Sequence, residues 1–179
     1  LVYYPMMLPH SPFVPNPDSD DWNPKSKGAK RGSMDPNYFD DMVRYTDKMV
    51  GRIMQQVKNA GLADNTYLFF TSDNGSLGNT VSQINGKHIR GGKGKTTNAG
   101  THVPFVVVGP GVPAGQVNDD LVDFTDFLPT FCEIAGVKIE KDTDLNGLSL
   151  LSQLHGDDNH RREFIYCWYQ IPILSLIHI

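Results

Sequence analysis

The sequence predicts an α/β fold, a sheet with helices packed on it, and three features carry that expectation. Residues 67–71 (YLFFT) and 105–108 (FVVV) are short, continuous apolar runs bounded by turn residues, the pattern of strands covered on both faces. Ahead of them, Phe39, Met42, Val43, Met49, Val50, Ile53, Met54 and Val57 recur at helical spacing. Strands alternating with helical segments are expected to share one sheet with helices on it.

Taken in order, residues 1–4 (LVYY) read as a strand. Residues 5–32 form a long loop that holds Pro5, Pro9, Pro12, Pro15, Pro17 and Pro24. A loop of that length without regular structure is usually functional. Asp35 is placed as an N-cap with Pro36 at the first helical position. The helix runs to Asn59-Ala60-Gly61, a plausible stop. Residues 75–100 are polar and Gly-rich with little periodicity, and read as loop. The strand at 105–108 is closed by Gly109-Pro110-Gly111. Residues 122–135 read as a helix in which Pro129 either makes a kink or starts a new helix. A last strand is expected at 164–168.

At 179 residues the chain has the length of one domain with one sizeable core. A net charge of −4 with interspersed signs leaves no nucleic-acid stripe and no polybasic membrane anchor. The one basic cluster, Lys25, Lys27, Lys30 and Arg31, lies in a Pro/Gly/Ser-rich loop and reads as solvated. Cys132 and Cys167 are far apart and show no CxxC pattern, against a zinc site or a disulfide framework. Cys132 reads as a small buried residue on a helix beside Phe131 and Ile134. Residues 171–179 are mostly apolar but too short to span a bilayer; they read as foreign sequence in preference to a genuine strand or a truncated helix, a tail of doubtful origin.

Chemistry concentrates where the strand at 67–71 delivers Asp73 and Asn74 side by side before Gly75. A sheet holds strand ends rigidly, and ligands collect there. Carboxylate and amide oxygens suit calcium or magnesium better than zinc, although Asp-Asn-Gly is also ordinary turn chemistry. Lys93 lies between Gly92 and Gly94, which permit close backbone approach to a ligand. There it either neutralises charge on a transferring group or is a solvated loop lysine. Lys87, His88 and Arg90 either line the mouth of such a pocket for an anionic substrate or form a solvated face. His10 sits among prolines, its backbone constrained and its ring free.

Three ordered blocks resemble the sulfatase family of the alkaline-phosphatase-like superfamily. They are His10-Ser11-Pro12-Phe13, Ser72-Asp73-Asn74-Gly75, and Gly92-Lys93-Gly94 followed by Thr96, Gly100 and Pro104. Residues 123–129 and 146–150 are also family-like. The resemblance implies an alkaline-phosphatase-like mixed sheet flanked by helices, with residues 1–170 as the C-terminal part of a catalytic domain. It implies hydrolysis of sulfuric esters by a formylglycine nucleophile beside a divalent cation, calcium before magnesium, held in part by Asp73 and Asn74. His10 would contact the sulfate and protonate the leaving alcohol, and Lys93 would reach the sulfate; all four residues are expected in one pocket. Lys95 stands where the family usually has Ser or Thr.

Neither Cys132 nor Cys167 stands in the C/S-x-P/A-x-R motif that matures to formylglycine, and the paired aspartates that complete the metal site have no counterpart. The chain therefore reads as a later part of a longer protein, inactive alone. Where many sulfatases have E-G-G-x-R, this chain has Asn98-Ala99-Gly100-Thr101-His102, so a supporting ion pair is lost. The implied partners are a sulfated small molecule or carbohydrate as substrate and a formylglycine-generating maturation enzyme, with no nucleic acid and no membrane span. A periplasmic, secreted or lysosome-like location is expected. A phosphoesterase or phosphonate hydrolase of the same superfamily, or a non-catalytic remnant, are the alternatives.

Overall fold

A computed structural model describes residues 1–26, 35, 37–157 and 162–169. Pro36, the cluster residues Lys27, Lys30 and Arg31, and the tail at 171–179 lie outside the described residues. The chain divides into two units, one of Leu1–Leu62, Asn74–Lys93 and Thr97–His102, the other of Ala63–Asp73, Gly94–Thr96 and Val103 onward.

The first unit is organised by α1 (Asn37–Asn59). Asp35 caps it, its carboxylate accepting from the Asn37 amide at 3.0 Å, which satisfies one of the first-turn donors. Met42 and Thr46 are buried, and Phe39, Val50, Ile53 and Val57 continue the stripe half-buried. Val43 and Met54, expected on that face, are 41% and 40% exposed. Each follows a stripe residue by four positions, Phe39 and Val50 respectively, and so lies at the edge of the stripe, where solvent still reaches it. Gly61 closes the helix with a positive φ of 69°, and the Leu62 amide bonds back to the Val57 carbonyl at 3.1 Å. The long N-terminal loop is pinned to this helix. Phe13 is 3% exposed and meets Phe39 at 5.1 Å between ring centroids. Lys48 pairs with Asp18 at 2.7 Å, and the Ser19 hydroxyl donates to Asp41 at 3.1 Å.

Residues 1–4 do not form the expected strand. Leu1, Val2 and Tyr3 are almost fully exposed and no described strand pairs with them. An isolated apolar run has no ladder to satisfy its amides and carbonyls.

The expectation of unstructured loop across 75–100 also needs correction. β2 (Val81–Ile84) and β3 (Lys87–Arg90) form an antiparallel hairpin in register Val81↔Arg90, Ser82↔Ile89, Gln83↔His88 and Ile84↔Lys87. Its two-residue turn is Asn85-Gly86 with φ of 49° and 77°, the left-handed pair that matches strand twist. Residues 98–101 add a single helical turn, α2 (Asn98–Thr101).

The second unit carries the other sheet, β1 (Leu68–Thr71) paired antiparallel with β4 (Phe105–Val108), with Phe69 opposite Val107 and Thr71 opposite Phe105. All described strands thus pair antiparallel, in two two-stranded sheets. β1 is half-buried along its whole length, as expected, whereas β4 alternates and leaves Val106 and Val108 exposed. One face of β1–β4 packs on α3 (Phe127–Ile134). Phe69 meets Phe131 edge-on at 5.1 Å, and Phe105 stacks on Phe127 at 5.5 Å. Such ring pairs add to the burial of their area.

The helix expected over 122–135 is two pieces. A 3-10 turn at Phe124–Asp126 is capped by Asp123, and α3 begins at Phe127. Pro129 occupies the third position of α3, in its first turn, where no intrahelical amide bond is lost, so of the two readings the start of a new helix is the one observed. Asp126, 1% exposed, accepts from the amides of Asp123 and Leu148, both at 2.8 Å, and from the guanidinium of Arg162. The Thr130 hydroxyl donates to the Asp126 carbonyl at 2.6 Å and accepts from the Leu150 amide at 2.9 Å, at the start of α4 (Leu151–Leu154). Residues 164–168 are not a strand; Arg162 makes the nearby isolated bridge, to Leu121. Cys132 lies on a helix, α3, as expected, but is only partly buried, and Cys167 is exposed.

Candidate active site

The first unit brings His10 and Lys93 together, 83 positions apart in sequence, with Lys93 Nζ 3.4 Å from His10 Nε2. Each is held by its backbone surroundings. His10 follows a turn in which its amide bonds the Met7 carbonyl at 3.0 Å, and Phe13, three residues on, is the buried anchor against α1. Its Nδ1 lies 2.6 Å from the Ser11 carbonyl oxygen. A carbonyl oxygen only accepts, so Nδ1 carries a hydrogen, and Nε2 is the nitrogen that faces Lys93.

Lys93 is fixed by a backbone weave that explains the glycines around it. The Lys93 amide donates to the Ser76 carbonyl at 2.9 Å, Gly92 to Ala99 at 3.1 Å, and Gly75 to Gly100 at 2.9 Å. A Cβ on Gly92 would come within 2.8 Å of the Ala99 carbonyl carbon. Any side chain on Gly75 or Gly91 would drive into the carbonyls of Ala99 and Leu77 respectively. Only glycine permits these backbones to lie so close. Sequence reasoning assigned that freedom to ligand approach around Lys93; the structure adds that Gly75, Gly91 and Gly92 serve the packing of one loop on another.

Asn74 belongs to this same unit, one residue before Gly75, and is half-buried. Asp73 is exposed and belongs to the second unit, two residues beyond the end of β1. Their oxygens suit a hard cation, but they are few. Among the described residues no group of three or more His, Cys, Asp or Glu gathers where a metal ion would sit. A calcium shell takes six to eight oxygens, so the residues present fit as part of a set and do not compose one.

His88 and Arg90 lie on the hairpin and are exposed, as are Lys87 and Lys95. The Asn98–His102 segment, which departs from the acid–arginine pattern, is stabilised instead by α2 itself and by the amide bonds that Ala99 and Gly100 accept. The sequence held a signal for the hairpin, the Asn85-Gly86 pair between the mixed polar stretches 81–84 and 87–90. It held none for the His10–Lys93 meeting beyond motif order. No described helix is long and apolar enough to cross a membrane.

Comparison with known proteins adds four findings. Residues 1–137 match the family model described as Sulfatase. The chain is 34% identical over 154 residues to the uncharacterized sulfatase YdeN of Escherichia coli K12, covering 86% of this chain and 27% of that protein. It is 36% identical over 134 residues to the N-acetylgalactosamine-6-sulfatase of Mus musculus, covering 72% of this chain and 25% of that protein. The Mus musculus steryl-sulfatase is 32% identical over 139 residues, 72% of this chain and 22% of that protein. The chain thus spans about a quarter of the length of the relatives it matches.

Proposed function

The chain belongs to the sulfatase family, and on that premise we propose that it is part of a hydrolase of sulfuric esters, with His10 and Lys93 acting on the sulfate. The observation that carries the proposal is the 3.4 Å approach of Lys93 Nζ to His10 Nε2 on a scaffold whose glycines are compelled by packing. An ammonium and an imidazole nitrogen so placed meet one anionic group from the same side. Lys93 offsets charge that grows on the sulfuryl oxygens as the S–O bond breaks. Nε2 carries the proton that the departing alkoxide takes up, while Nδ1 stays hydrogen-bonded to the Ser11 carbonyl and keeps the ring in place.

A formylglycine, from an upstream Cys or Ser outside this chain, supplies the nucleophile in this reading. Asp73 and Asn74 would hold part of the shell of a divalent cation, calcium before magnesium, whose chemistry is charge neutralisation at the sulfate. The alkaline-phosphatase-like mixed sheet, the extent of the partial domain over 1–170, the foreign tail, the maturation enzyme and a periplasmic, secreted or lysosome-like setting belong to the same proposal. The alcohol portion of the substrate is open at this level, since the relatives are named for a sulfated amino sugar and for a steryl sulfate.

Two measurements test it. Residues 1–179 alone are expected to bind calcium more weakly than about 1 mM by calorimetry and to show no aryl sulfate turnover. Tight binding abolished by Asp73→Ala would overturn the partial-site assignment. In the complete, matured protein, His10→Ala is expected to slow alkyl sulfates most and nitrophenyl sulfate least, because a poor leaving group requires the proton. The rate then falls more steeply with leaving-group pKa than in the parent. An unchanged slope removes His10 as proton donor, and turnover of nitrophenyl phosphate in place of nitrophenyl sulfate would favour a phosphoesterase.

A further inference from the structure

Apart from the groups assigned above, the first unit contains a cavity of about 180 Å³ between the N-terminal loop and α1, lined by Asn16, Asp18, Asp41, Arg44 and Tyr45. Its polar walls are held in place by their neighbours. Lys48 donates to both oxygens of Asp18 at 2.7 Å, and its ammonium lies 5.8 Å from the centre of the Tyr45 ring. Asp41 accepts from the Ser19 hydroxyl at 3.1 Å, and Arg44 donates to Asp40 at 2.8 and 3.0 Å. Asn16, 5% exposed, accepts at Oδ1 from the Asp18 amide at 2.9 Å. The opposite amide orientation would set NH2 against that N–H, which fixes oxygen and nitrogen.

Asn16 Nδ2 is the exception. It is buried and has no hydrogen-bond partner among the described residues, a state it shares there only with the Thr80 hydroxyl. A buried donor without an acceptor is costly, and native structures satisfy such groups with a bound molecule or with water. One water would satisfy Nδ2, but the cavity is roughly tenfold larger than the space one water requires. The chemistry of the walls selects what else fits. A carboxylate or phosphate accepts from Nδ2 but meets Asp18 and Asp41, while the cation on the wall, Arg44, is already paired with Asp40. An ammonium suits the carboxylates but cannot accept. A hydroxyl does both through one oxygen, accepting from Nδ2 and donating to a carboxylate. The half-buried Tyr45 ring supplies an apolar wall for the carbon skeleton of the same molecule.

We propose that this cavity is a binding site for an uncharged polyhydroxylated molecule, a monosaccharide or a cyclic polyol, one of whose hydroxyls accepts from Asn16 Nδ2 and donates to Asp41. The site uses neither His10 nor Lys93, and the inference stands apart from the sulfuric-ester reading.

Calorimetry on the complete protein tests it with glucose, galactose and myo-inositol, against acetate, ethylammonium and glycine as the anionic, cationic and zwitterionic contrasts. At least one of the polyols is expected to bind with a Kd of about 1–10 mM, the strength that ordinary contacts give a molecule of about a dozen heavy atoms. The contrasts should bind more weakly than about 100 mM. Asn16→Asp keeps the acceptor for the Asp18 amide and exchanges only the donor for a second acceptor, so it should weaken the polyol at least about tenfold. Thermal unfolding of the unliganded variant shows whether it is folded. If it is not, Asp41→Asn, which still accepts from Ser19, decides in the same way, with an expected loss of about two- to tenfold. Polyol binding unaltered in the deciding variant places the molecule elsewhere and overturns the inference. So does a parent that binds none of the polyols up to about 100 mM, whose cavity then holds water alone. Tighter binding of acetate, ethylammonium or glycine than of every polyol overturns it as well.

Discussion

Lys93→Ala is expected to lower kcat of the complete protein on sulfate esters about a hundred- to a thousandfold, the usual cost of removing one preorganised group at a developing charge. The geometry makes the estimate specific. Lys93 is not at the end of a free loop, because its amide is bonded to Ser76 and its neighbour Gly92 to Ala99. On the proposed reading, its ammonium is then delivered to the sulfate with little reorganisation at the moment of reaction. Charge on the sulfuryl and bridging oxygens is greater in the transition state than in the bound ester, so kcat should fall much more than KM rises. Lys93→Arg should recover little, since a guanidinium at the same backbone position cannot place its charge where the shorter ammonium sits against His10. Steady-state kinetics on a neutral monosulfated substrate checks this. A variant that raises KM with kcat intact would show that Lys93 only binds the ground state.

Asp126→Ala should destabilise the second unit by about 3–5 kcal/mol, the range seen when one partner of a buried ion pair is removed. That is a large share of the ~5–15 kcal/mol by which domains are usually stable. Asp126 accepts from the Asp123 and Leu148 amides and from Arg162, whose side chain is only 15% exposed. Alanine leaves the two amides without their acceptor in the interior, and leaves the guanidinium only the Asn146 carbonyl and the Thr125 hydroxyl. It also releases Asn146–Leu150 from Phe124–Ile134, two segments that meet at this carboxylate and at Thr130. The hydrogen bond from Arg162 to Asp126 holds the guanidinium above the usual arginine range. A raised pKa stabilises wherever the group is charged in both states, so on the arginine side the contribution is fully present below about pH 12 and is lost only above it. Chemical denaturation of Asp126→Ala, Arg162→Ala and the double variant measures the pair. A single-variant loss below about 1 kcal/mol would show that water replaces the carboxylate.

The elements that were legible in the sequence are those whose signal is local. α1 could be read because Asp35 caps it, Gly61 closes it and a buried stripe repeats along it. Its face was drawn too wide, since Val43 and Met54 are apolar but exposed, and hydrophobicity alone does not say which side of a helix a neighbour covers. β1 and β4 could be read because four consecutive apolar residues between turns have few alternatives. The runs at 1–4 and 164–168 have the same composition yet form no strand, because a strand exists only with a partner and composition does not name one. The opposite error hid the hairpin, whose polar, fully exposed residues lack the alternation of a buried face although its Asn-Gly turn was in plain view.

For the candidate site, the residue order of three blocks was enough to nominate His10, Asp73, Asn74 and Lys93 and to place the chain in its family. What only tertiary structure decided is which of them touch and how each is held. Lys93 Nζ lies 3.4 Å from His10 Nε2 because Phe13 is buried against Phe39 at one end and the Lys93 amide is tied to Ser76 at the other. The glycines beside Lys93 are fixed by carbonyls of residues distant in sequence, and the proton on His10 Nδ1 by the carbonyl of Ser11. Residue types and their order are one-dimensional and survive in motifs. Contact, tautomer and close approach depend on where backbones from separate stretches come to rest, and that is set by packing.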